Sequence, residues 1–146
     1  MKILILNGPN MNLLGVREPE IYGTTDYRTL LDRLRKYADT HGAELVFFQS
    51  NHEGDLVDAI HKAYFDHLDG IVINPAAYTH TSIAIPDAIR AVGILTVEVH
   101  LSDLSLRENY RQVNYIRDCC AASFEGMGID GYYAALDYLI GHAHEG

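Results

Sequence analysis

Lys2-Ile3-Leu4-Ile5-Leu6-Asn7-Gly8-Pro9-Asn10-Met11-Asn12 opens the chain and decides how the rest is read. Ile3 to Leu6 is an apolar run without alternation, which suits a strand buried on both faces, as in a parallel sheet. Asn7-Gly8-Pro9-Asn10 then interrupts it, since this segment neither continues a strand nor starts a helix readily. A polar stretch follows and runs on through Arg17-Glu18-Pro19-Glu20-Ile21-Tyr22-Gly23. It sets amides, an arginine and a tyrosine just past the end of a central strand, the edge at which open α/β sheets bind ligands. A loop of this length in a compact domain reads as a lid or a binding loop.

Working outward, helix and strand patterns alternate. Leu30, Leu31, Leu34, Tyr37 and Ala38 recur at helical spacing, with Gly42 as the stop. Glu44-Leu45-Val46-Phe47-Phe48 is rich in strand formers. Ser50 and Glu53 have capping-box spacing, ahead of a helix face made by Leu56, Val57, Ile60, Ala63 and Tyr64. Gly70 to Ile73 reads as a third strand, closed by Asn74-Pro75. The polar loop Tyr78-Thr79-His80-Thr81-Ser82 leads to Pro86, which suits the opening of a helix carrying Ala88, Ile89 and Val92. Ile94 to Val99 is a fourth strand, ending at Glu98-Val99-His100, and Ser105 with Glu108 repeats the capping-box spacing. A weaker fifth strand lies near Ala121 to Phe124, before a last helix with Tyr133, Leu136, Leu139 and Ile140. Five alternations predict an α/β fold, a flavodoxin-like doubly wound five-stranded parallel sheet of order 2-1-3-4-5 with helices on both faces. In that order the ends of strands one, three and four are neighbours. Residues 7–22, 74–80 and 98–102 then converge on one crevice.

Length and charge bound the function. At 146 residues the chain fits a single catalytic domain spanning 1–146. Eleven basic against twenty acidic residues give a net charge of −9, which argues against nucleic acid or an anionic membrane as partner. A local arginine cluster still leaves room for a small anionic substrate. No apolar stretch approaches the roughly 20 residues of a membrane helix. The first strand begins at once, so no signal peptide is expected. Cys119 and Cys120 are adjacent, a poor geometry for a framework disulfide. They read as small buried apolar side chains in a reducing cytoplasm.

Several residues carry chemistry only in combination. A lone tyrosine such as Tyr22 is by habit a packing residue, but Arg17 lies on the same loop, and a guanidinium beside a phenol favours the phenolate. Glu98 and His100 stand two apart on a strand, so their side chains share a face. A carboxylate beside an imidazole fixes its tautomer and favours its protonated form, which is how a general acid is made. Arg107 and Arg111 are one helical turn apart, by default a solvated face, but near the crevice they would grip hydroxyls or a carboxylate. No lysine falls in the convergent loops, so a Schiff base is not expected. Gly126-Met127-Gly128-Ile129-Asp130-Gly131 matches a dinucleotide fingerprint, yet it follows the last strand, and the acidic ribose partner about twenty residues on does not exist. It reads as a turn into the final helix. His142, His144 and Glu145 resemble metal ligands but sit at a chain end, where histidines are usually exposed.

Read together, these blocks resemble type II 3-dehydroquinate dehydratase. The resemblance rests on Leu6-Asn7-Gly8-Pro9-Asn10, Asn12-Leu13-Leu14-Gly15 and Arg17-Glu18-Pro19 with Tyr22-Gly23. Gln49 to Gly54, Asn74-Pro75 with Ala77 to His80 and Ser82, Glu98 to Ser102, Arg107-Glu108 with Arg111, and Gly126 to Tyr132 continue it over nearly the whole chain. Asn114, Cys119-Cys120 and Phe124-Glu125 depart from the family's usual choices. The resemblance implies anti elimination of water from 3-dehydroquinate through an enolate, giving 3-dehydroshikimate in aromatic amino-acid biosynthesis, with no metal, no cofactor and no covalent intermediate. It makes Tyr22 the base, Arg17 the lid residue that keeps Tyr22 ionised, and Asn10 the holder of the water that stabilises the enolate oxygen. His100, oriented by Glu98, would protonate the departing hydroxyl. Asn74 and the N–H groups of Leu101 and Ser102 would bind the carboxylate, and His80 and Arg111 the ring hydroxyls. Asp87 would reach a neighbouring subunit's site, in a dodecamer built from trimers. A flavin-binding electron carrier of the same fold would need a Ser/Thr-rich phosphate loop where Pro9, Asn10 and Met11 stand. A phospho-receiver domain would need acidic residues where Asn7 and Ser50 stand.

Overall fold

The computed structural model describes residues 1–16, 18–22 and 24–143, without the side chains of Pro19 and Tyr22. Among the described residues five strands and five α-helices follow one another: β1 (Lys2–Asn7), α1 (Pro19–Tyr22), α2 (Tyr27–Thr40), β2 (Glu44–Gln49), α3 (Glu53–Phe65), β3 (Gly70–Asn74), α4 (Ala84–Val92), β4 (Leu95–His100), β5 (Ala122–Glu125) and α5 (Asp130–His142). The sheet order is β2-β1-β3-β4-β5, and every pairing is parallel. This is the doubly wound arrangement that the alternation predicts.

Side chains leave a strand on alternate faces, and here both faces are covered. Ile3, Ile5, Val72, Val97 and Val99 pack with Leu30 and Leu34 of α2 and with Leu136 and Leu139 of α5. Leu4, Leu6, Ile71 and Ile73 pack on the other face with Leu56 and Ile60 of α3 and Ile85 and Ile89 of α4. Burial on both sides is why the first and third strands are unbroken apolar runs. Each fully buried Leu or Ile contributes about 1.5–3 kcal/mol relative to exposure, so the central strands anchor everything placed at their ends.

Local signals mostly act as expected. The Asp26 carboxylate accepts the Thr29 N–H at 2.8 Å and starts α2, and the Thr29 side-chain hydroxyl, followed by that N–H, holds its pKa below the usual value. Gly42 adopts φ +75° just past the end of α2, a conformation that costs glycine nothing. Both expected capping boxes are absent. Ser50 lies three residues before the first residue of α3, and His52 takes the cap position. The Ser50 hydroxyl instead accepts the His52 N–H at 3.0 Å and donates to Asp55 at 2.7 Å. Ser105 is itself capped, its N–H and hydroxyl both donating to Asp103. Glu108 turns to Arg111, with Nε to Oε2 at 2.8 Å. The reason is that no α-helix forms between β4 and β5; that stretch folds in short 3-10 turns at Leu104–Leu106, Asn109–Arg111 and Arg117–Cys119. Cys119 and Cys120 are free and half-buried at the approach to β5, packed against the edge of the α3–α4 core. Among the described residues no helix is long and apolar enough to cross a membrane.

Candidate active site

The sheet register gathers the functional residues. Asn7 at the end of β1 pairs with Asn74 at the end of β3, and Glu98 on β4 lies opposite Ile73. Gly8 lets the two exits cross closely: a Cβ there would stand 2.5 Å from the Pro75 carbonyl oxygen. Its N–H donates to the Asn74 carbonyl at 2.8 Å. The chain then turns through Asn10 in the left-handed region, φ +68°, a conformation that Asn tolerates better than most residues. The Asn51 side-chain oxygen holds the Asn10 N–H at 3.0 Å.

A cleft opens over these exits. Asn10, Asn74, His80, His100, Leu101, Ser102, Arg107 and Arg111 line it, with Pro9, Met11 and Leu14 at one wall. Two arginines and two histidines face it, and among the described residues its lining contains no carboxylate. A chain of net charge −9 thus presents a locally cationic cleft, suited to a small anion.

Glu98 and His100 sit on one face of β4, both buried. His100 Nε2 and Glu98 Oε2 are 2.6 Å apart. Asn114 Nδ2 donates to the same oxygen at 2.7 Å, and the Ser123 hydroxyl donates to Oε1 at 2.7 Å. Burial pushes the Glu98 carboxyl up, but the bond and charge of His100, followed by Ser123 and Asn114, outweigh it and bring its pKa down to about 2. Glu98 is therefore ionised at neutral pH, so His100 presents Nε2–H to it.

His80 is set up differently. Its Nδ1 lies 2.7 Å from the Val113 carbonyl, an acceptor only, so that nitrogen carries the proton and donates. Burial lowers its pKa most; the Val113 carbonyl works against that, and the positive charges of Arg111, His100 and Arg107 lower it further. A neutral His80 leaves Nε2 as an acceptor, the right group for a hydroxyl.

Asn74 belongs to a buried relay. Its Nδ2 donates to the Tyr132 hydroxyl at 3.0 Å and reaches the Met11 sulfur at 3.5 Å, while its Oδ1 accepts the Ala76 N–H at 3.1 Å. Tyr132 in turn donates to Asn7 Oδ1 at 2.5 Å, and Asn7 Nδ2 donates to the Tyr27 hydroxyl at 3.3 Å. Burial raises the Tyr132 pKa, so this phenol stays protonated and keeps donating. Asn74 is thereby locked in one amide orientation.

The Leu101–Ser102 turn is clamped from behind. Gly126 N–H donates to the Ser102 carbonyl and Gly128 N–H to the Leu101 carbonyl, each at 3.1 Å. Both glycines have positive φ. Arg107 donates to the Ser102 hydroxyl at 3.1 Å, and Arg111 is held by Glu108.

The structure thus brings Asn10, Asn74, His80, His100, Leu101, Ser102 and Arg111 to one cleft, with Glu98 behind His100. Asp87 is exposed on α4 and does not line the cleft of its own chain. Arg17, the Tyr22 side chain, His144 and Glu145 lie outside the described residues. No group of three or more His, Cys, Asp or Glu residues gathers to hold a metal among those described. Sequence reading missed the roles of Ser123, Arg117, Tyr132 and Tyr27, and took the Gly126–Gly128 segment only as a turn. The available signals were the departures at Asn114, which the structure sets against Glu98, and at Glu125, which it sets against Arg117.

Comparison with known proteins shows the family. Residues 1–140 match the family model described as dehydroquinase class II. The chain is 52% identical over 135 residues to 3-dehydroquinate dehydratase of Caldicellulosiruptor saccharolyticus, covering 92% of this chain and 93% of that one. It is 49% identical over 150 residues to the enzyme of the same name from Carboxydothermus hydrogenoformans, covering 100% and 97%. The crystal structure of type II dehydroquinase from Butyrivibrio crossotus superposes with a TM-score of 0.94 at 46% identity, covering 95% and 97%. With so much of each chain matched in both sequence and fold, the protein belongs to the class II dehydroquinase family.

Proposed function

We propose that this protein dehydrates 3-dehydroquinate to 3-dehydroshikimate in the shikimate pathway, with residues 1–146 acting as one catalytic domain. The observation that carries the reading is the cationic cleft holding a buried carboxylate–histidine pair. A hydroxy-carboxylate substrate needs an anion-binding wall, hydroxyl acceptors and an acid, and the cleft supplies all three. The Leu101 and Ser102 backbone, with Asn74, takes the carboxylate. Asn74 can do so because one of its N–H bonds faces only the Met11 thioether, a weak acceptor that a carboxylate would replace. Neutral His80 accepts from one ring hydroxyl, and Arg111 donates to another.

Elimination runs in the anti sense. Tyr22, kept ionised by Arg17, removes the proton next to the ketone. The electron pair moves into the carbonyl to give an enolate, whose oxygen is stabilised by a water held on Asn10. The enolate then re-forms the ketone and expels the hydroxyl, which takes a proton from His100 and leaves as water. Glu98 stabilises the His100 imidazolium beforehand and fixes its tautomer afterwards. Protonated Tyr22 and neutral His100 exchange protons with solvent to close the cycle. No lysine or metal enters the scheme.

Asp87 is exposed and does not line its own chain's cleft, which supports a reading in which it completes a neighbour's site in trimers assembled into a dodecamer. Exposed Ile83, Leu106 and Tyr110 would be covered by such contacts. We place the protein in the cytoplasm, where two free cysteines persist. The test is direct. Purified protein with 3-dehydroquinate should generate the ultraviolet absorbance of a conjugated enone, insensitive to chelator and to borohydride. A well-folded sample that produces no absorbance change refutes the reading, and a fully active monomer in size-exclusion chromatography refutes the assembly.

A further inference from the structure

Glu98 is bonded beyond what orienting one histidine needs. A carboxylate has about four lone-pair sites, and here each has a donor: His100 and Asn114 on Oε2, Ser123 and Arg117 on Oε1. Ser123 is its register neighbour on β5. Asn114 also accepts the Ile116 and Arg117 N–H groups at 2.8 and 2.9 Å, so it shapes the turn that delivers Arg117. The fourth donor is the Arg117 guanidinium. Its Nε lies 3.4 Å from Glu98 Oε1, and another of its nitrogens donates to Glu125 Oε1 at 2.9 Å. Glu125 Oε2 accepts the Leu104 N–H at 2.9 Å, at the far end of the loop that begins with Leu101 and Ser102. One cation therefore bridges the carboxylate behind the acid and the carboxylate that ties down the anion-binding loop.

We propose that Arg117 is a positioning residue for the reaction, holding Glu98 and, through Glu125, the 101–104 loop in fixed relation so that the acid and the substrate carboxylate meet in register. It does not line the cleft. The inference rests on the dehydratase reading above. The demand on Arg117 is greatest in mid-reaction. Before proton transfer, the His100 imidazolium neutralises Glu98. After it, His100 is neutral, and a buried Glu98 would face a large desolvation cost without a second cation. Arg117, bonded to two carboxylates, supplies that charge throughout. Its effect therefore belongs in kcat more than in KM.

Wild-type turnover is measured first; an inactive wild type sinks the dehydratase reading and says nothing against Arg117. With active wild type, Arg117→Ala should lower kcat by about tenfold or more, the scale of one lost bond to a buried charge, with KM within a few-fold. Arg117→Lys should recover part of that loss. The Arg117 side chain is 46% exposed, so added guanidinium ion can reach the vacated place. Guanidinium at millimolar concentration should raise kcat of Arg117→Ala and leave wild type unchanged, a response that a merely destabilised fold would not give. Should Arg117→Ala not fold, Glu125→Gln keeps an acceptor for Leu104 but loses the ion pair, and should lower kcat two- to fivefold. Wild-type kcat in either variant overturns the proposal, as does a loss in Arg117→Ala that neither guanidinium nor lysine relieves.

Discussion

Replacing Glu98 with Gln tests the electrostatic arrangement of the site through stability, independently of turnover. The side chain keeps its shape, but an amide offers one oxygen where the carboxylate offered two. Two of the four donors around it lose their acceptor, and each buried group left unpaired costs about 1–3 kcal/mol. That part of the cost does not depend on pH. A second part does. The Glu98 pKa lies at about 2 in the folded protein against 4.5 ordinarily, and this gap is worth about 3 kcal/mol of folding free energy. The sign is fixed by the depressed value. The ionised group binds its partners in the folded state, so the stabilisation is present in full above about pH 4.5. It disappears as pH falls through the folded value near 2.

Glu98→Gln should therefore be less stable than wild type at neutral pH, with Tm lower by roughly 6–12 °C from the charge-dependent part alone. On acidification wild type loses that part and the variant has nothing to lose, so the two should converge. By about pH 3 the difference should have shrunk by about 2 kcal/mol. Paired denaturant titrations of both proteins at several pH values between about 6 and 3 measure this, with equal slopes m confirming that the same unfolding is compared. A stability difference that stays constant across that range would falsify the assignment of Glu98 as a buried, multiply bonded anion. So would a Glu98→Gln protein as stable as wild type at neutral pH.

Tyr22→Phe should lose nearly all kcat while still binding substrate; substantial residual kcat would mean that another group is the base. Arg17→Ala should be weakly active at neutral pH and recover partly as pH rises, because an unaided tyrosine ionises only near pH 10; equal inactivity at every pH would place Arg17 in lid closure or substrate binding instead. Tyr132→Phe leaves Asn7 Oδ1 and Asn74 Nδ2 without their shared hydroxyl, so stability should fall by about 1–3 kcal/mol, and KM should rise as Asn74 loses its fixed orientation. Unchanged KM in that variant would remove Asn74 from carboxylate binding. Gly8→Ala drives a methyl against the Pro75 backbone and should cost at least about 1–3 kcal/mol with weaker substrate binding, checked by thermal unfolding and KM; a neutral effect would show that the two strand exits can separate freely.

What the sequence made legible, and what it concealed, follows from the same physics. A strand buried on both faces must be apolar throughout, so Ile3 to Leu6 and Gly70 to Ile73 were visible as strands without any partner in view. Topology then located the cleft, because strand order alone decides which loop ends are neighbours. Glu98 and His100 were legible as a pair because two residues on one strand share a face whatever lies around them. The partners of Glu98 were not, since they stand 16, 19 and 25 residues away on a stretch of 3-10 turns and a short, half-buried strand, where neither helical nor strand period is strong. Tyr132 and Asn7 are 125 residues apart and meet only because α5 packs beneath the β1 and β3 exits. The failed capping boxes have the same origin: spacing proposes a cap, but Ser50 and Ser105 were claimed by Asp55 and Asp103. Periodicity reports what one element buries, whereas a polar site is assembled by register between elements. Glu98 faces Ser123, and His100 faces Glu125, only because β4 and β5 pair at that offset. A shift of one residue would turn Ser123 to the opposite face and take a donor from the carboxylate. The register of the last two strands therefore fixes the support for the acid on one side and, through Glu125 and Leu104, the anion-binding loop on the other.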